Sequence, residues 1–186
     1  EEFSNVFNDV CSRGAFIMQS DLKKFEINLA QFLNCKYVIG VADGTAALVF
    51  ALKASGVGAG DEVIISSHTF IATAAAVKHV GAVPVVCDCL VDSTICPDSV
   101  SRMITNKTKA IMPTQLNGRI ADMEKLCKIA NEHNLGIVCL IRLSALSLAV
   151  GRVNQCHRFL CRGEVAVHHD HMGTLAGEGH AGCAPV

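Results

Sequence analysis

Three short segments carry the side chains best suited to chemistry. The first is Asp43-Gly44-Thr45-Ala46, where an apolar run gives way to a helical pattern. A glycine there lets a ligand approach the backbone closely. The Thr45 hydroxyl and the free N–H groups of a helix start can bind a phosphate, aided by the positive end of the helix dipole. From these residues alone, an ordinary capped turn reads equally well. The second segment is Ser66-Ser67-His68-Thr69-Phe70, at the end of an apolar run. Ligands gather at the carboxyl ends of strands in open α/β sheets, and an aromatic ring there can stack on a flat heterocycle. Taken singly, Phe70 suits a core and His68 a polar loop. The third is Pro113-Thr114-Gln115-Leu116-Asn117-Gly118. Gln115 and Asn117 could hydrogen-bond a ligand, or Asn117-Gly118 could simply close a turn.

The elements that must position these segments alternate. Leu22, Phe25, Leu29 and Phe32 recur at helical spacing after Asp21, a fair N-cap. Lys36 to Val41 reads as a short buried strand. Ala46 to Ala54 reads as a helix, apolar nearly all round and therefore buried, ending at Ser55-Gly56. The cycle then repeats. Strands are expected at Glu62 to Ser66, Val83 to Asp88, Lys109 to Pro113 and Gly136 to Leu140. Helices are expected at Phe70 to Val80, Pro97 to Ile104 and Ala121-Asp122 to Asn134. Pro84 favours a strand start or a sheet edge. This alternation predicts an α/β fold with a mostly parallel sheet. Beyond Leu140 the periodicity dissolves into a glycine-rich stretch.

Composition narrows the function classes. The chain has 186 residues, 51% of them apolar, which suits one domain or most of one. Sixteen basic and 17 acidic side chains leave a net charge of −1. That balance gives no electrostatic footprint for nucleic acid or an anionic membrane. Mean hydropathy is +0.38, yet Arg142, Ser144 and Ser147 interrupt the most apolar stretch, so a membrane span is not expected. Glu1-Glu2-Phe3 offers neither the basic start nor the apolar run of a signal peptide, nor an initiator Met. Ten cysteines at irregular spacing suit a reducing cytoplasm better than a disulfide framework.

The two ends of the chain differ. All nine lysines lie in residues 1–138, with three of the seven arginines. Residues 139–186 hold the other four arginines, five of the eight histidines and four of the ten cysteines. Cys161, His168 and His171 could meet around a zinc ion, but their spacing matches no zinc signature.

The run from Tyr37 to Asp88 and the run from Ile104 to Val138 closely resemble the DegT/DnrJ/StrS family, over about Gly14 to Val138. The resemblance implies PLP-dependent aminotransferases acting on nucleotide-linked keto sugars. It implies the incomplete large domain of the aspartate-aminotransferase-like fold (PLP fold type I), a three-layer α/β/α sandwich. On this reading residues 1–138 are a partial PLP-binding domain and 139–186 a non-matching, poorly ordered tail. Gly44, Thr45 and Ala46 match the phosphate-cradling turn, with Asp43 replacing the more usual Ser. Phe70 matches the aromatic that stacks on the cofactor ring. Gln115 to Gly118 stand where the family has a His-Leu-Tyr-Gly-like segment. Asp61-Glu62 and Asp122 look structural. The family implies an amino-acid donor, often glutamate, a nucleotide-sugar acceptor and a homodimer.

Two parts of that chemistry are missing. A carboxylate must hold the pyridine nitrogen protonated, and a lysine must form the Schiff base. The family's acid follows the strand matching Gly136 to Leu140, in an Asp-Ala-Ala-Gln-like motif. Here the chain reads Cys139-Leu140-Ile141-Arg142-Leu143-Ser144-Ala145, and no lysine follows Lys128. The chain by itself is therefore expected to be inactive, with no catalytic residue and no metal ligand assigned. A frameshift near Val138 accounts for the change. Leu140 to Ala145 can be encoded CTG-ATT-CGG-CTC-AGC-GCN. From the last G of the first codon, the same bases read Asp-Ser-Ala-Gln-Arg. The rival readings are a non-enzymatic scaffold with a zinc-binding tail and another PLP fold type I enzyme, such as a lyase or desulfurase.

Overall fold

A computed structural model describes residues 2–17, 19–33, 35–142 and 164–168. Helix α1 (Glu2–Arg13) and helix α2 (Ser20–Leu33) come first, then α3 (Gly44–Ala54), β1 (Glu62–Ser66) and α4 (Ile71–His79). These are followed by β2 (Val83–Cys87), α5 (Pro97–Met103), β3 (Thr108–Met112) and β4 (Thr114–Gln115). A 3-10 turn at Leu116–Gly118, α6 (Met123–His133), β5 (Gly136–Arg142) and β6 (Glu164–His168) complete the order.

Every pairing between these strands is parallel. The sheet runs β2-β1-β3-β5. Past Pro113, β4 continues along the same side of β5, pairing Thr114 with Leu140. Leu140 also pairs with Ala166 of β6, which therefore lies on the other side. The chain moves one way from β1 to β2, then crosses back over β1 to reach β3. The order thus reverses between β1 and β3, and there the carboxyl ends of the strands open a crevice.

Strand alternation divides the core into two layers. Val63, Ile65, Ala110, Met112 and Val138 face α3 and α4, through Leu48, Leu52, Ala76 and Val77. Ile64, Ile111, Ile137 and Cys139 face α5 and α6, through Val100, Leu126 and Ala130, with Leu33 of α2 joining them. Side chains two apart along a strand share a face, so one sheet fills both layers. The result is the expected α/β/α sandwich.

The expected bounds of β1 are met at both ends, and those of β2, β3, α4 and α5 to within a residue or two. Pro84 lies in edge strand β2, where its missing N–H breaks no inner ladder. Three expectations need correction. Residues 36–41 form no strand, and Tyr37 and Ile39 are exposed. The Gly40 N–H donates instead to Glu26 Oε1 at 2.7 Å, so that segment is tied to a helix side chain rather than to a neighbouring strand. On α2, Glu26 therefore turns inward with Leu22, Leu29 and Leu33, leaving Phe25 and Phe32 half exposed. Helix α3 buries Leu48 and Leu52 but leaves Phe50 exposed, so it is covered on one side only. Beyond Leu140, where periodicity ends, the structure places β6 in register with Val138 to Arg142.

Helix α6 shows how local chemistry fixes an element. Asp122 caps it, its Oδ1 accepting from the Lys125 N–H at 3.1 Å. Asn134 ends it in the left-handed region at φ 54°. The Lys125 amide holds the Asp122 carboxyl below its usual range; partial burial opposes this and the Lys125 ammonium adds to it. Asp122→Ala is expected to cost about 1 kcal/mol in urea unfolding at neutral pH. A carboxyl whose folded value is depressed stabilises above its unfolded value and loses that effect as pH falls. The gap between the two proteins should therefore close below about pH 4. A gap as large at about pH 2 as at neutrality would rule out the charged cap as its source.

Candidate functional site

Helix α3 must return the chain to the amino end of β1, so it runs against the strands and begins at their carboxyl edge. Helix α4 leaves β1 directly and begins at the same edge. The Gly44 turn and Phe70 are thus the starting points of two helices in one layer, on the side where the crevice opens.

At the first turn Asp43 is the N-cap of α3, and its Oδ1 accepts from the Ala46 N–H at 2.8 Å. Gly44 is buried, while Thr45 and Ala46 are half-buried. The Ala46 amide, expected to meet a phosphate, is therefore shared with a carboxylate. Phe70 is the N-cap residue of α4, in an extended conformation, and the residue is 71% exposed. The core alternative for Phe70 is excluded. His68 is an exposed loop residue, as its polar-loop reading implied.

Three hydroxyls meet beside Phe70. Thr69 Oγ1 lies 2.8 Å from Thr73 Oγ1 and 2.8 Å from Thr114 Oγ1. Thr73 and Thr114 are buried and Thr69 half-buried. The link joins the β1–α4 turn to β4 across the crevice. Thr69 and Thr114 lie in two of the segments singled out in the sequence, but nothing in the spacing announced their contact with each other or with Thr73.

The third segment is structural. Gln115 is 2% exposed. Its Oε1 accepts from the Ala121 N–H at 2.7 Å, and its Nε2 points at Met123 Sδ and Cys139 Sγ. Asn117 sits at φ 52° in the tight turn, and the Arg119 N–H bonds the Leu116 carbonyl. Gln115 is thus committed to the protein interior, and Asn117-Gly118 close a turn.

Sequence reasoning missed Cys89, beyond the end of β2. Its sulfur accepts from Ser67 Oγ at 3.4 Å and lies 3.5 Å from Ser66 Oγ. Burial pushes this thiol up, but the two hydroxyls and the backbone of His68 and Ser67 outweigh it, leaving it below the usual thiol range. Burial, with Cys89, Asp88 and Cys96 nearby, pushes Cys87 up to about 12. Because thiolates are the reactive form, iodoacetamide at neutral pH should alkylate Cys89 well before Cys87, as read by peptide mass mapping. Ser66→Ala combined with Ser67→Ala should slow Cys89; unchanged labelling would remove the hydroxyls from that account.

Among the described residues, no group of three or more His, Cys, Asp or Glu could hold a metal ion. Cys161 and His171 of the zinc alternative lie outside the described residues. No described helix is long and apolar enough to cross a membrane.

The residues present fit part of a PLP-type cofactor. The α3 start offers backbone N–H groups to a phosphate, and the exposed Phe70 ring offers a stacking face. No Asp or Glu occurs between Glu132 and Glu164, and no lysine follows Lys128.

Comparison with known proteins agrees with this geometry. Residues 1–139 match the model of the DegT/DnrJ/EryC1/StrS aminotransferase family. A pleiotropic regulatory protein of Geobacillus stearothermophilus is 41% identical over 138 residues, covering 74% of this chain and 37% of the relative. A dTDP-3-amino-3,6-dideoxy-alpha-D-galactopyranose transaminase of Aneurinibacillus thermoaerophilus is 37% identical over 139 residues, covering 74% of this chain and 38% of the relative. The crystal structure of NtdA from Bacillus subtilis, with bound cofactor PMP, superposes with a TM-score of 0.71 at 36% identity. It covers 73% of this chain and 31% of NtdA. The chain thus spans less than half the length of these relatives. With three quarters of its residues inside the family model and its sheet that of the PLP fold type I enzymes, this chain belongs to the DegT/DnrJ/EryC1/StrS aminotransferase family.

Proposed function

We propose that this chain is the cofactor-binding N-terminal part of an aminotransferase that uses PLP to aminate a nucleotide-linked keto sugar, in amino-sugar, polysaccharide or natural-product biosynthesis. The observation that carries this reading is the placement of the Gly44 turn and the exposed Phe70 ring at one sheet edge, beside the strand-order reversal. Gly44, Thr45 and Ala46 would receive the phosphate through backbone N–H groups and the Thr45 hydroxyl. Phe70 would cover one face of the ring. When bound, such a cofactor carries the amino group in transit and takes up electrons from the substrate. An amino-acid donor, a homodimeric full-length form and a cytoplasmic location complete the proposal. Ten cysteines at irregular spacing suit a reducing compartment.

On this reading the 186-residue chain itself does not transaminate, because it has no Asp or Glu between Glu132 and Glu164 and no lysine after Lys128. Titrating the purified chain with PLP, followed by cofactor fluorescence, should show saturable binding that inorganic phosphate competes away. No amination of a dTDP-linked keto sugar with glutamate should be detected. Absence of saturable binding defeats the cofactor assignment; turnover by the pure chain defeats the assignment of inactivity. Resequencing the DNA from the Leu135 codon onward tests the frameshift. Restoration of an Asp-Ser-Ala-Gln-like motif and a later lysine by one base would support it, and an intact frame would refute it.

A further inference from the structure

We infer that Thr69 is a positioning residue for the Phe70 ring, acting as the hub of a three-hydroxyl link that fixes the β1–α4 turn to β4. Thr73 is fully buried and Thr114 is 6% exposed. Among the described residues, the Thr69 hydroxyl is the side-chain partner of both, at 2.8 Å each. A hydroxyl has one proton and two lone pairs, so a single oxygen can serve both neighbours. Buried hydroxyls without a partner are costly, so the two buried threonines hold Thr69 in place.

Phe70 stands between the two anchored points. On its amino side Thr69 is tied to β4 through Thr114. On its carboxyl side the Thr73 N–H donates to the Phe70 carbonyl at 2.9 Å. The backbone of Phe70 is therefore fixed from both directions, while the residue remains 71% exposed. An exposed aromatic held on a tied backbone meets a flat ligand without first losing loop freedom, and this raises affinity. Thr69 touches no ligand in this scheme; it acts through Phe70.

This inference rests on the proposed cofactor role of Phe70, so its test has two separate readouts on the 186-residue chain. The first is amide hydrogen exchange. Thr69→Val should speed exchange at Phe70 and Thr73 about tenfold or more while leaving α6 unchanged, and Thr69→Ser should restore protection. The second is binding. Thr69→Val should weaken pyridoxal 5′-phosphate about tenfold, with inorganic phosphate at the α3 start altered less than about twofold. Thr69→Ser should recover the wild-type value. If Thr69→Val does not fold, Thr114→Val cuts the same link from β4 and carries the same expectations. Equal loss of both ligands, no rescue by serine, or unchanged exchange at Phe70 and Thr73 would each overturn the inference. Changed exchange in a chain that never binds pyridoxal 5′-phosphate would defeat the cofactor assignment, and with it the role of Thr69 toward a ligand.

Discussion

Gln115→Ala is expected to destabilise the fold by about 3–5 kcal/mol, the largest effect of any single change at the strand ends. Two losses combine. The Ala121 N–H loses the Oε1 acceptor that satisfies it at 2.7 Å, in a place where Gln115 is 2% exposed. The truncation also opens a cavity against Met123 and Cys139, toward which the Gln115 amide points. Gln115→Leu separates the two losses. It fills most of the space but leaves the amide unsatisfied, so it should cost about 1–3 kcal/mol. Gln115→Glu keeps an acceptor but buries a carboxyl, whose folded value must rise. A group raised on folding stabilises fully below its unfolded value and loses that contribution as pH increases. This variant should therefore be closest to wild type in acid, below about pH 4, and fall away toward neutrality. Urea unfolding of the three variants at two pH values reads the series. A Leu variant as unstable as the Ala variant would assign the whole effect to the lost hydrogen bond. An Ala variant within about 1 kcal/mol of wild type would remove Gln115 from the supports of this corner.

The second large effect concerns affinity. Asp43→Asn is expected to tighten pyridoxal 5′-phosphate binding about tenfold or more, with little change in stability. The Asp43 carboxylate now accepts from the Ala46 N–H at 2.8 Å. A phosphate arriving at the start of α3 meets a negative charge and must compete for that amide. A dianion about 5 Å from one carboxylate is repelled by roughly 1.5–2 kcal/mol in water-like surroundings, and Asp43 is exposed. Asparagine caps a helix about as well as aspartate, so the helix start should survive. Pyridoxal without its phosphate is the control, since it lacks the dianion that Asp43 repels. The expectation fails if both ligands tighten equally, or if neither changes. High salt should narrow the difference between wild type and variant, because the repulsion acts at an exposed site.

Much of the fold was legible in the chain. Strands β1, β2, β3 and β5 announced themselves as β-rich apolar runs with turn residues on either side. Helices α3 and α6 carried their caps in the sequence, at Asp43 and Asp122, whereas Phe70 precedes α4 without a side-chain cap bond. Gly56, at φ 75°, closes the turn after α3 that the Ser55-Gly56 pair indicated. These signals are local, set by which residue tolerates which backbone angle and by the side-chain period. Family membership was equally legible, because the two runs Tyr37 to Asp88 and Ile104 to Val138 follow the family's wording closely.

The tertiary structure decided the rest, because it depends on neighbours that no local pattern contains. Residues 36–41 have the composition of a buried strand, but a strand needs a ladder partner, and Gly40 finds Glu26 instead. On α2 the period pointed to Leu22, Phe25, Leu29 and Phe32 as one stripe, but Leu29 and Leu33 pack on the core while Phe25 and Phe32 stay outside. Gln115 looked like a ligand contact on a loop, and the sheet carried it inward to cap Ala121. Thr69 and Thr114 are 45 residues apart. Only the crossing of the chain over β1 brings their hydroxyls together. Sequence by itself determined the elements and the family. Long-range packing alone decided which polar groups face each other at the sheet edge, since each such pairing joins residues distant along the chain.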